Sequence, residues 1–308
     1  RPPLPDPGPV IAQLYALAFD DDPLDDPAVR TAHAEVVRSA VQTLLHIEDQ
    51  PDYAPRRPQL LPQLMRELDN DETSLRSLAQ LVGRDPTLAG NVLRTVNSPL
   101  YRPGSEPIES IERAVSLVGT TGLRSIVAAA LLQPELVGGK GAFSRFPETV
   151  WDHTLHSALA AASHAVLVED TDPFAAELLG MLMGMGAIII VRVVRDQYAL
   201  RPQLLPSASV ATAVLESWTS PTARHIAKSW DLSDRMALAL HEQLLDKTAR
   251  HLSPLGRSLR FGRVAGAAAL LVRHNRLDPD AGRALLGDTA DPQLDAIWRK
   301  LVRDRRHG

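Results

Sequence analysis

The sequence predicts an all-α fold, a multi-helix bundle, and three observations carry that prediction. Apolar residues recur every three or four positions along most of the 308 residues, which is the period of a helix with one buried face. Alternating apolar runs bounded by hairpin turns, which are typical of β-strands, are hard to find. Alanine and leucine, both strong helix formers, are abundant. A chain of this length buries a sizeable core in one large or two smaller domains.

Composition limits which classes of partner and which cellular compartment we expect for the protein. The 33 Lys and Arg against 37 Asp and Glu leave a net charge of -4, which supplies no global field for a polyanion, so nucleic acid is an unfavoured partner. The absence of cysteine removes disulfides, thiolate metal sites and cysteine nucleophiles, and it fits a reducing cytoplasm. The chain opens without Met or an apolar leader, so we expect no signal peptide, no membrane partner and room for an upstream domain.

The first two helices follow from apolar spacing and from a helix-start signal. The first is expected at residues 10–19. The acidic stretch after it resembles a calcium-binding loop but lacks the central Gly and the distal Glu, and Pro23 interrupts it. We expect Asp25 or Asp26 to cap a helix that begins near Pro27, because a carboxylate there accepts orphan backbone N–H groups. The side chains expected to point inward from this helix are Val37, Val41, Leu44 and Leu45.

A proline-rich stretch, PDYAPRRPQLLP, follows and divides the chain, because its four prolines cannot continue a helix. We assign residues 1–57 to an N-terminal helical extension with this linker, and residues 58–250 to a helical domain. Residues 251–308 form a C-terminal helical extension with a basic tail. That tail, WRKLVRDRRHG, has its basic residues diluted by Asp and is expected to be a solvated terminus.

Shorter helices fill the first part of the domain. They are expected at residues 61–68, 74–83 and 110–118. The pair Asp85-Pro86 is a strong start signal for another helix, with Asp as N-cap and Pro at the first helical position. That helix is expected to stop at Asn97-Ser98, because the proline that follows pushes the preceding residue out of the helical region.

The most apolar run, residues 175–191, predicts a central buried helix. Its fourteen uncharged residues from Leu178 to Val191 fall short of the roughly 20 needed to cross a bilayer. Glycines in this run repeat at spacings that let another helix approach closely, and its methionines are expected to fill gaps in the core. The glycines are Gly180, Gly184 and Gly186, and the methionines are Met181, Met183 and Met185. We expect no His, Asp, Glu or Cys where the buried helix of an enzyme would place one.

A long helix is expected at residues 147–168, before the central one, and at least three more are expected after it. The long helix carries three histidines, His153, His156 and His164. Two imidazoles without a nearby carboxylate are weak evidence for a site. We therefore expect one of these histidines to be buried and hydrogen-bonded and the others to be solvated.

Three phrases follow one another in the first half of the domain: LPQLMREL, SLAQLVGRDPTLAGNVLRTVNSPLY and IESIERAVSLVGTTGLRSIV. In their order and spacing they resemble the HDOD family, a branch of the HD-domain superfamily defined by loss of the usual enzymatic residues. The likeness continues through Trp151-Asp152-His153, the central helix, and Trp230-Asp231-Leu232 with His241, and it covers about residues 58–250. It implies an HD-like helical bundle carrying N- and C-terminal helical extensions. Motif positions expected to be structural or to face a partner are Asp85, Pro86, Asn97, Ser98, Tyr101, Trp151, Trp230 and His241.

The resemblance also implies which chemistry is missing. The superfamily's first metal-binding His corresponds to His153, but its adjacent His-Asp pair falls on Met183 and Gly184, and a following Lys falls on Ala187. A thioether and a glycine offer neither the imidazole nor the hard oxygen that a hydrolytic metal needs. Without the metal there is no activated water. We therefore expect a vestigial site with no catalytic residue, no metal or other cofactor, and no enzymatic activity.

Members of this family are regarded as signal-transduction or scaffold modules, linked to cyclic-dinucleotide signalling, motility or gene regulation. The expected function is a bacterial, cytoplasmic and non-catalytic regulatory scaffold that binds protein partners in a signalling pathway, with homodimer formation left open. Two alternatives stay open. One is a sensor that holds a small molecule or nucleotide in the vestigial cavity. The other is a residual metal-dependent phosphohydrolase.

Overall fold

The computed structural model describes residues 6–18, 27–50, 52–53, 62–63, 75–83, 86–98, 100–101, 107–111, 113–114, 122, 125–130, 143–245 and 251–302. Within these ranges all regular structure is helical and no strand occurs, which confirms the all-α prediction. The α-helices are α1 Pro7–Ala16, α2 Pro27–Leu45, α3 Leu75–Gly83, α4 Pro86–Val96, α5 Phe146–His164, α6 Pro173–Ala199, α7 Ala208–Ser229, α8 Asp234–His241, α9 Pro254–Arg273, α10 Pro279–Ala284 and α11 Pro292–Val302.

The helices group into two compact units. One contains Arg1–Pro55 together with Leu136–Arg303, and the other contains Arg56–Glu135 together with Asp304–Gly308. The N-terminal extension and most of the C-terminal extension therefore belong to the same unit as the second half of the expected domain. The three-segment division of the chain stays a prediction from the sequence.

Helix α6 is the buried centre of the first unit and contacts α2, α5, α7 and α9. It begins at Pro173 because the Oδ1 atom of Asp172 accepts the N–H of Ala175 at 3.0 Å, and it continues for 27 residues. Its length and mean hydropathy of 2.1 would suffice to cross a membrane, yet 94% of that apolar window is buried inside the protein. The prediction of a central buried helix is confirmed.

The glycines of α6 allow two neighbouring helices to approach its backbone closely, as the spacing predicted. A Cβ added at Gly180 would lie 2.8 Å from the Cα of Ala158 on α5, and one at Gly186 would lie 2.8 Å from the carbonyl oxygen of Thr219 on α7. Contacts below 3.0 Å leave no room for a methyl group. The methionines between these glycines are buried in the core, as expected.

Helix α9 packs along α5 in the most extensive helix–helix contact of the described chain. Two glycines of α9 permit this approach, since a Cβ at Gly262 would meet the backbone N of Ala161 at 2.8 Å and one at Gly266 would meet that of Ser157 at 2.7 Å. Helix α5 continues beyond His164 as a π-helical turn, Ala165–Glu169, so the long helix predicted at 147–168 is confirmed.

Helix α2 begins at Pro27 as predicted, but its buried stripe differs from the expected one. The buried residues are His33, Val36, Ala40 and Leu44, whereas Val37 and Val41 are half-buried and Leu45 is 53% exposed. A hydrogen bond of 2.8 Å between the Nδ1 atom of His33 and the hydroxyl of Tyr198 on α6 fixes the rotation of the helix. Apolar spacing alone could not reveal this polar anchor.

Other expectations agree with the structure or fall on residues outside it. Helix α1 starts at Pro7, three residues earlier than expected, because the side chain of Asp6 accepts the N–H of Gly8 at 3.2 Å and caps it. In the second unit, α4 buries Leu88, Val92 and Val96. The acidic residues 20–26, Asp85 and most of the predicted helix at 61–68 lie outside the described residues.

Candidate functional site

A cavity of about 440 Å³ lies inside the first unit and is the candidate functional site. Helices α5 and α6 contribute one wall, with His153, Met183 and Gly184 among its residues. The three positions expected from the sequence to form a vestigial HD site are therefore brought together around one cavity. Further lining residues from these two helices are Thr154, Ser157 and Gly180.

The opposite walls come from parts of the chain that sequence reasoning did not connect with the site. Helix α1 and its N-cap contribute a series of residues, α7 contributes another, and α9 contributes Arg263. These residues are Asp6, Pro7, Gly8, Pro9, Ile11, Ala12, Tyr15, Thr212, Leu215, Glu216, Thr219 and, after α8, Gln243. The family resemblance begins near residue 58 and ends near 250, so it contained no signal for α1 or for Arg263.

Both ring nitrogens of His153 are hydrogen-bonded within the protein. Its Nε2 atom lies 3.0 Å from the carbonyl oxygen of Arg263, and its Nδ1 atom lies 3.2 Å from the hydroxyl of Tyr15. A carbonyl oxygen only accepts, so Nε2 carries the proton and donates. In the neutral ring Nδ1 then accepts from the Tyr15 hydroxyl, which fixes the tautomer.

Burial determines the protonation of this cluster. It lowers the pKa of His153 to about 4 and raises the pKa of Tyr15 to about 12, so both side chains are neutral at pH 7. Burial also lowers the pKa of Arg263 to about 10, which still leaves a cation at neutral pH. Among the residues that line the cavity, Arg263 is thus the one with a positive charge at neutral pH.

The residues at this position do not fit the divalent metal that the wider superfamily would place here. His153 has no ring nitrogen left for a metal, Met183 presents a thioether, and Gly184 has no side chain. In the part of the chain that the structure describes, no group of three or more His, Asp, Glu or Cys residues could hold a metal ion.

The other two histidines of α5 are also buried, so the expectation that only one would be buried is wrong. His156 binds the carbonyl oxygen of Asp152 through Nδ1 at 2.7 Å, and burial lowers its pKa to about 4. His164 stacks on Phe261 with ring centroids 4.3 Å apart and contacts the Ser258 hydroxyl at 3.1 Å. Helix α9 supplies the partners of His153 and His164, which the spacing of α5 alone could not show.

The central helix carries one buried acid, Glu177, which lies one turn into α6 and is 3% exposed. This carboxylate is not among the residues that line the cavity. It therefore supplies no ligand or general base at the candidate site.

The two tryptophans of the family motifs lie in the core of the first unit. Trp151 and Trp230 are buried. Trp230-Asp231-Leu232 ends α7: Asp231 adopts a left-handed conformation with φ of 56°, and the N–H of Leu232 donates to the carbonyl of Ala227 at 3.0 Å. His241, the last residue of α8, is exposed.

In the second unit, Asn97 braces the loop after α4. Its Nδ2 atom donates to the carbonyls of Leu93 and Ile108, each at 2.8 Å, and its Oδ1 atom accepts the N–H of Ile108 at 2.8 Å. Ser98 contributes backbone bonds, accepting the N–H of Tyr101 at 3.1 Å. Pro86 is the first residue of α4, as its sequence signal predicted.

A helical bundle with this motif series defines a member of the HDOD family, and the chain belongs to that family. The model of the HDOD domain matches residues 54–244, which is more than half of the chain. The extent predicted from sequence phrases, 58–250, agrees closely. Among curated proteins, an uncharacterised protein of Treponema pallidum is 25% identical over 114 residues, covering 37% of this chain and 22% of that protein. The chain thus matches about a fifth of that relative's length.

Solved structures share the fold at low sequence identity. An HDOD domain protein of unknown function from Geobacter sulfurreducens matches 86% of this chain and 89% of its own, with 20% identity and a TM-score of 0.55. A protein of Shewanella amazonensis, provisionally named a metal-dependent phosphohydrolase, matches 88% and 99%, with 20% identity and a TM-score of 0.50. A protein of Marinobacter aquaeolei, provisionally named for signal transduction, matches 87% and 64%, with 20% identity and a TM-score of 0.50. At this identity the likeness shows the fold alone.

Proposed function

We propose that the protein is a non-catalytic regulatory module of a bacterial signalling pathway, which acts in the cytoplasm through contacts with other proteins. One observation carries the proposal: His153, at the position of the superfamily's first metal-binding His, has both nitrogens engaged by Tyr15 and Arg263, and Met183 and Gly184 line the same cavity. Such a site offers no set of free ligands for a metal ion that would activate water. Cyclic-dinucleotide signalling is the pathway class that the family resemblance suggests.

The test of the non-catalytic proposal is direct. The purified 308-residue chain is incubated with Mn²⁺ or Fe²⁺ and a cyclic dinucleotide. We expect it to bind no stoichiometric metal and to release no hydrolysis product. Metal analysis and product chromatography are the measurements. Hydrolysis that disappears in the His153→Ala variant would overturn the proposal.

A reversion experiment sharpens this test. The double substitution Met183→His and Gly184→Asp restores the residue types of the superfamily pair, but a Cβ at residue 184 would lie 2.7 Å from the Cβ of Thr154. We expect the double variant to be less stable than the parent and to gain no affinity for Mn²⁺. The single variant Met183→His, which does not touch Gly184, is the control for the added imidazole.

The partner is best sought with the full chain. The segment between α6 and α7 exposes Leu200 and Leu205, which are 74% and 71% exposed and form a first candidate contact. Cross-linking in lysate of the native host is carried out with the unchanged chain and with a double variant that carries Leu200→Ser and Leu205→Ser. A partner captured by the full chain and lost in this variant, but retained in Leu285→Ser, would assign binding to that segment.

A second candidate function is a ligand sensor, and the cavity of about 440 Å³ favours it. This volume falls in the usual range for small-molecule sites. A ligand that binds only the folded state raises the melting temperature, so thermal-shift screening separates a sensor from a scaffold that binds proteins alone.

A further inference from the structure

The cavity contains a cation that the described part of the chain leaves without a hydrogen-bonding partner. The guanidinium of Arg263 lines the cavity and makes no hydrogen bond and no ion pair with any residue that the structure describes. Asp6 attracts it electrostatically only from beyond ion-pair distance. The residue is half-buried, so its charge is available to an anion that enters the cavity.

Two further polar groups of the cavity wall are also unsatisfied. The hydroxyl of Ser157, a residue only 3% exposed, has no hydrogen-bond partner among the described residues. The Oε1 atom of Gln243 is buried and likewise accepts no bond within that part of the chain. The orientation of Gln243 is fixed, because its Nε2 atom donates to the carbonyls of Ala239 and Gly256 at 2.9 and 3.1 Å. Buried polar groups in native proteins are nearly always paired, so these atoms point to a ligand.

Part of the remaining wall is apolar. Ile11 of α1, Met183 of α6 and Leu215 of α7 are buried and line the same space. A ligand that satisfied only the polar groups would leave these side chains without contact. The wall therefore suits a molecule with one charged end and an apolar body.

Charge distinguishes between classes of anion. Asp6 and Glu216 also line the cavity, while His153 is neutral, so the lining carries two carboxylates against the one guanidinium of Arg263. This lining has one excess negative charge, so each further negative charge on a ligand adds repulsion, and two phosphates add more of it than one carboxylate does. A single carboxylate matches a single guanidinium, which can hold both of its oxygens.

We propose that this cavity binds a small molecule with one carboxylate and an apolar body, in which Arg263 holds the carboxylate and the Ser157 hydroxyl donates to it. The proposal rests on the second candidate function, that of a ligand-binding module, and names its ligand class. An N–H or O–H on the ligand would donate to Gln243. That feature distinguishes an amino acid from a simple fatty acid as the source of the carboxylate.

The experiment uses the full chain and measures binding by calorimetry and thermal shift with octanoate, leucine, octanamide and a cyclic dinucleotide. We expect octanoate or leucine to bind and to raise the melting temperature, and the neutral octanamide to do neither. Tighter binding of leucine than of octanoate would identify the amino acid as the source. Arg263→Gln is expected to weaken binding about tenfold or more, the usual loss for a hydrogen bond to a charged group. Arg273→Gln, an exposed position on the same helix, is the matched control and is expected to leave affinity unchanged.

A second variant keeps the test decisive if Arg263→Gln does not fold. Ala12→Trp fills the cavity from a half-buried position on α1 and leaves Arg263 in place, and it is expected to abolish carboxylate binding. Equal binding of octanoate and octanamide, or unweakened binding in both variants, would overturn the proposal. A shift with the cyclic dinucleotide alone would overturn the ligand class and keep the sensor. No shift with any probe would overturn the sensor as well and leave the scaffold function standing.

Discussion

At Gly184 the backbone of α6 lies so close to α5 that a Cβ there would be 2.7 Å from the Cβ and 2.5 Å from the Cγ2 of Thr154. Thr154 is held in place, because its hydroxyl donates to the carbonyl of Val150 at 2.7 Å. The family resemblance aligns this glycine with a metal-binding Asp of the superfamily. Packing therefore opposes a side chain at the position where the resemblance would place that Asp.

Replacing this glycine should be costly. Gly184→Ala is expected to lower the free energy of unfolding by about 1–3 kcal/mol, as overpacking of a core does. Urea denaturation is the measurement. The matched control is Gly90→Ala on α4, where an added Cβ meets nothing within 4 Å. That variant is expected to be neutral or slightly stabilising, because alanine favours a helix over glycine. Equal losses in both variants would contradict this account of α6.

The buried histidines of α5 make stability depend on pH. Burial lowers the pKa of His153 and of His156 from 6.5 to about 4. Between these values the unfolded chain binds more protons than the folded one, so stability is highest above pH 6.5 and falls as pH drops towards 4. Each of these histidines is expected to remove about 2 kcal/mol at pH 5.

Urea denaturation at pH 7 and pH 5 checks this prediction. The variant His156→Leu is expected to lose less stability between the two pH values than the parent protein does. His241→Leu, at an exposed position, is the control and should behave like the parent. Asp152 opposes the trend, since burial raises the pKa of its carboxyl, so the comparison of variants is more informative than the absolute curve.

At the scale of elements, the start of α6 depends on one residue with two roles. Asp172 caps the helix through Oδ1 and forms an ion pair through Oδ2 with Arg235 at 2.6 Å, and both side chains of this pair are partly exposed. An exposed ion pair contributes about 0–1 kcal/mol. The cap is worth about 1 kcal/mol and is the steadier contribution.

The two roles can be separated by substitution. Asp172→Ala is expected to destabilise the protein by about 1–2 kcal/mol, whereas Asp172→Asn, which keeps a capping oxygen, should cost less. Chemical denaturation of both variants measures the difference. Equal destabilisation would show that charge, rather than the capping bond, determines where α6 begins.

At the scale of the whole molecule, the boundaries of the family match differ from those of the compact units. The HDOD match ends at residue 244, yet α9 begins at Pro254 and makes the most extensive contact with α5. Helix α1, which precedes the match, supplies Tyr15 to the His153 cluster. Both flanks are therefore integral to the first unit.

A fragment of residues 58–250 is expected to fail to fold, because it lacks α1, α2 and α9 and would expose the glycine-lined faces of α5 and α6. Far-UV circular dichroism and size-exclusion chromatography are the measurements, with a fragment of residues 6–302 as the folded control. A monomeric and fully helical 58–250 fragment would instead support the three-segment division of the chain.

Much of the fold was predictable because it depends on local pattern. Period and composition indicated the helical class, Asp-Pro and Pro signals placed the starts of α2 and α4, and the apolar run placed α6. In α2 the inward position of Leu44 was predicted correctly, but the rest of the stripe was not, because a long-range bond between His33 and Tyr198 sets the rotation of the helix. His153, Met183 and Gly184 were found through the family resemblance, whereas Tyr15 and Arg263 were missed.

The sequence by itself determined the helical class, the family, the central helix and the close approach of its neighbours, since each depends on residues near one another along the chain. Only the tertiary structure decided what surrounds His153. Tyr15 lies 138 positions away and Arg263 lies 110 positions away, and no periodicity relates such distant residues. Packing brings them to one cavity, where the Tyr15 hydroxyl and the Arg263 carbonyl occupy both nitrogens of the histidine, and where no described residue pairs with the Arg263 guanidinium.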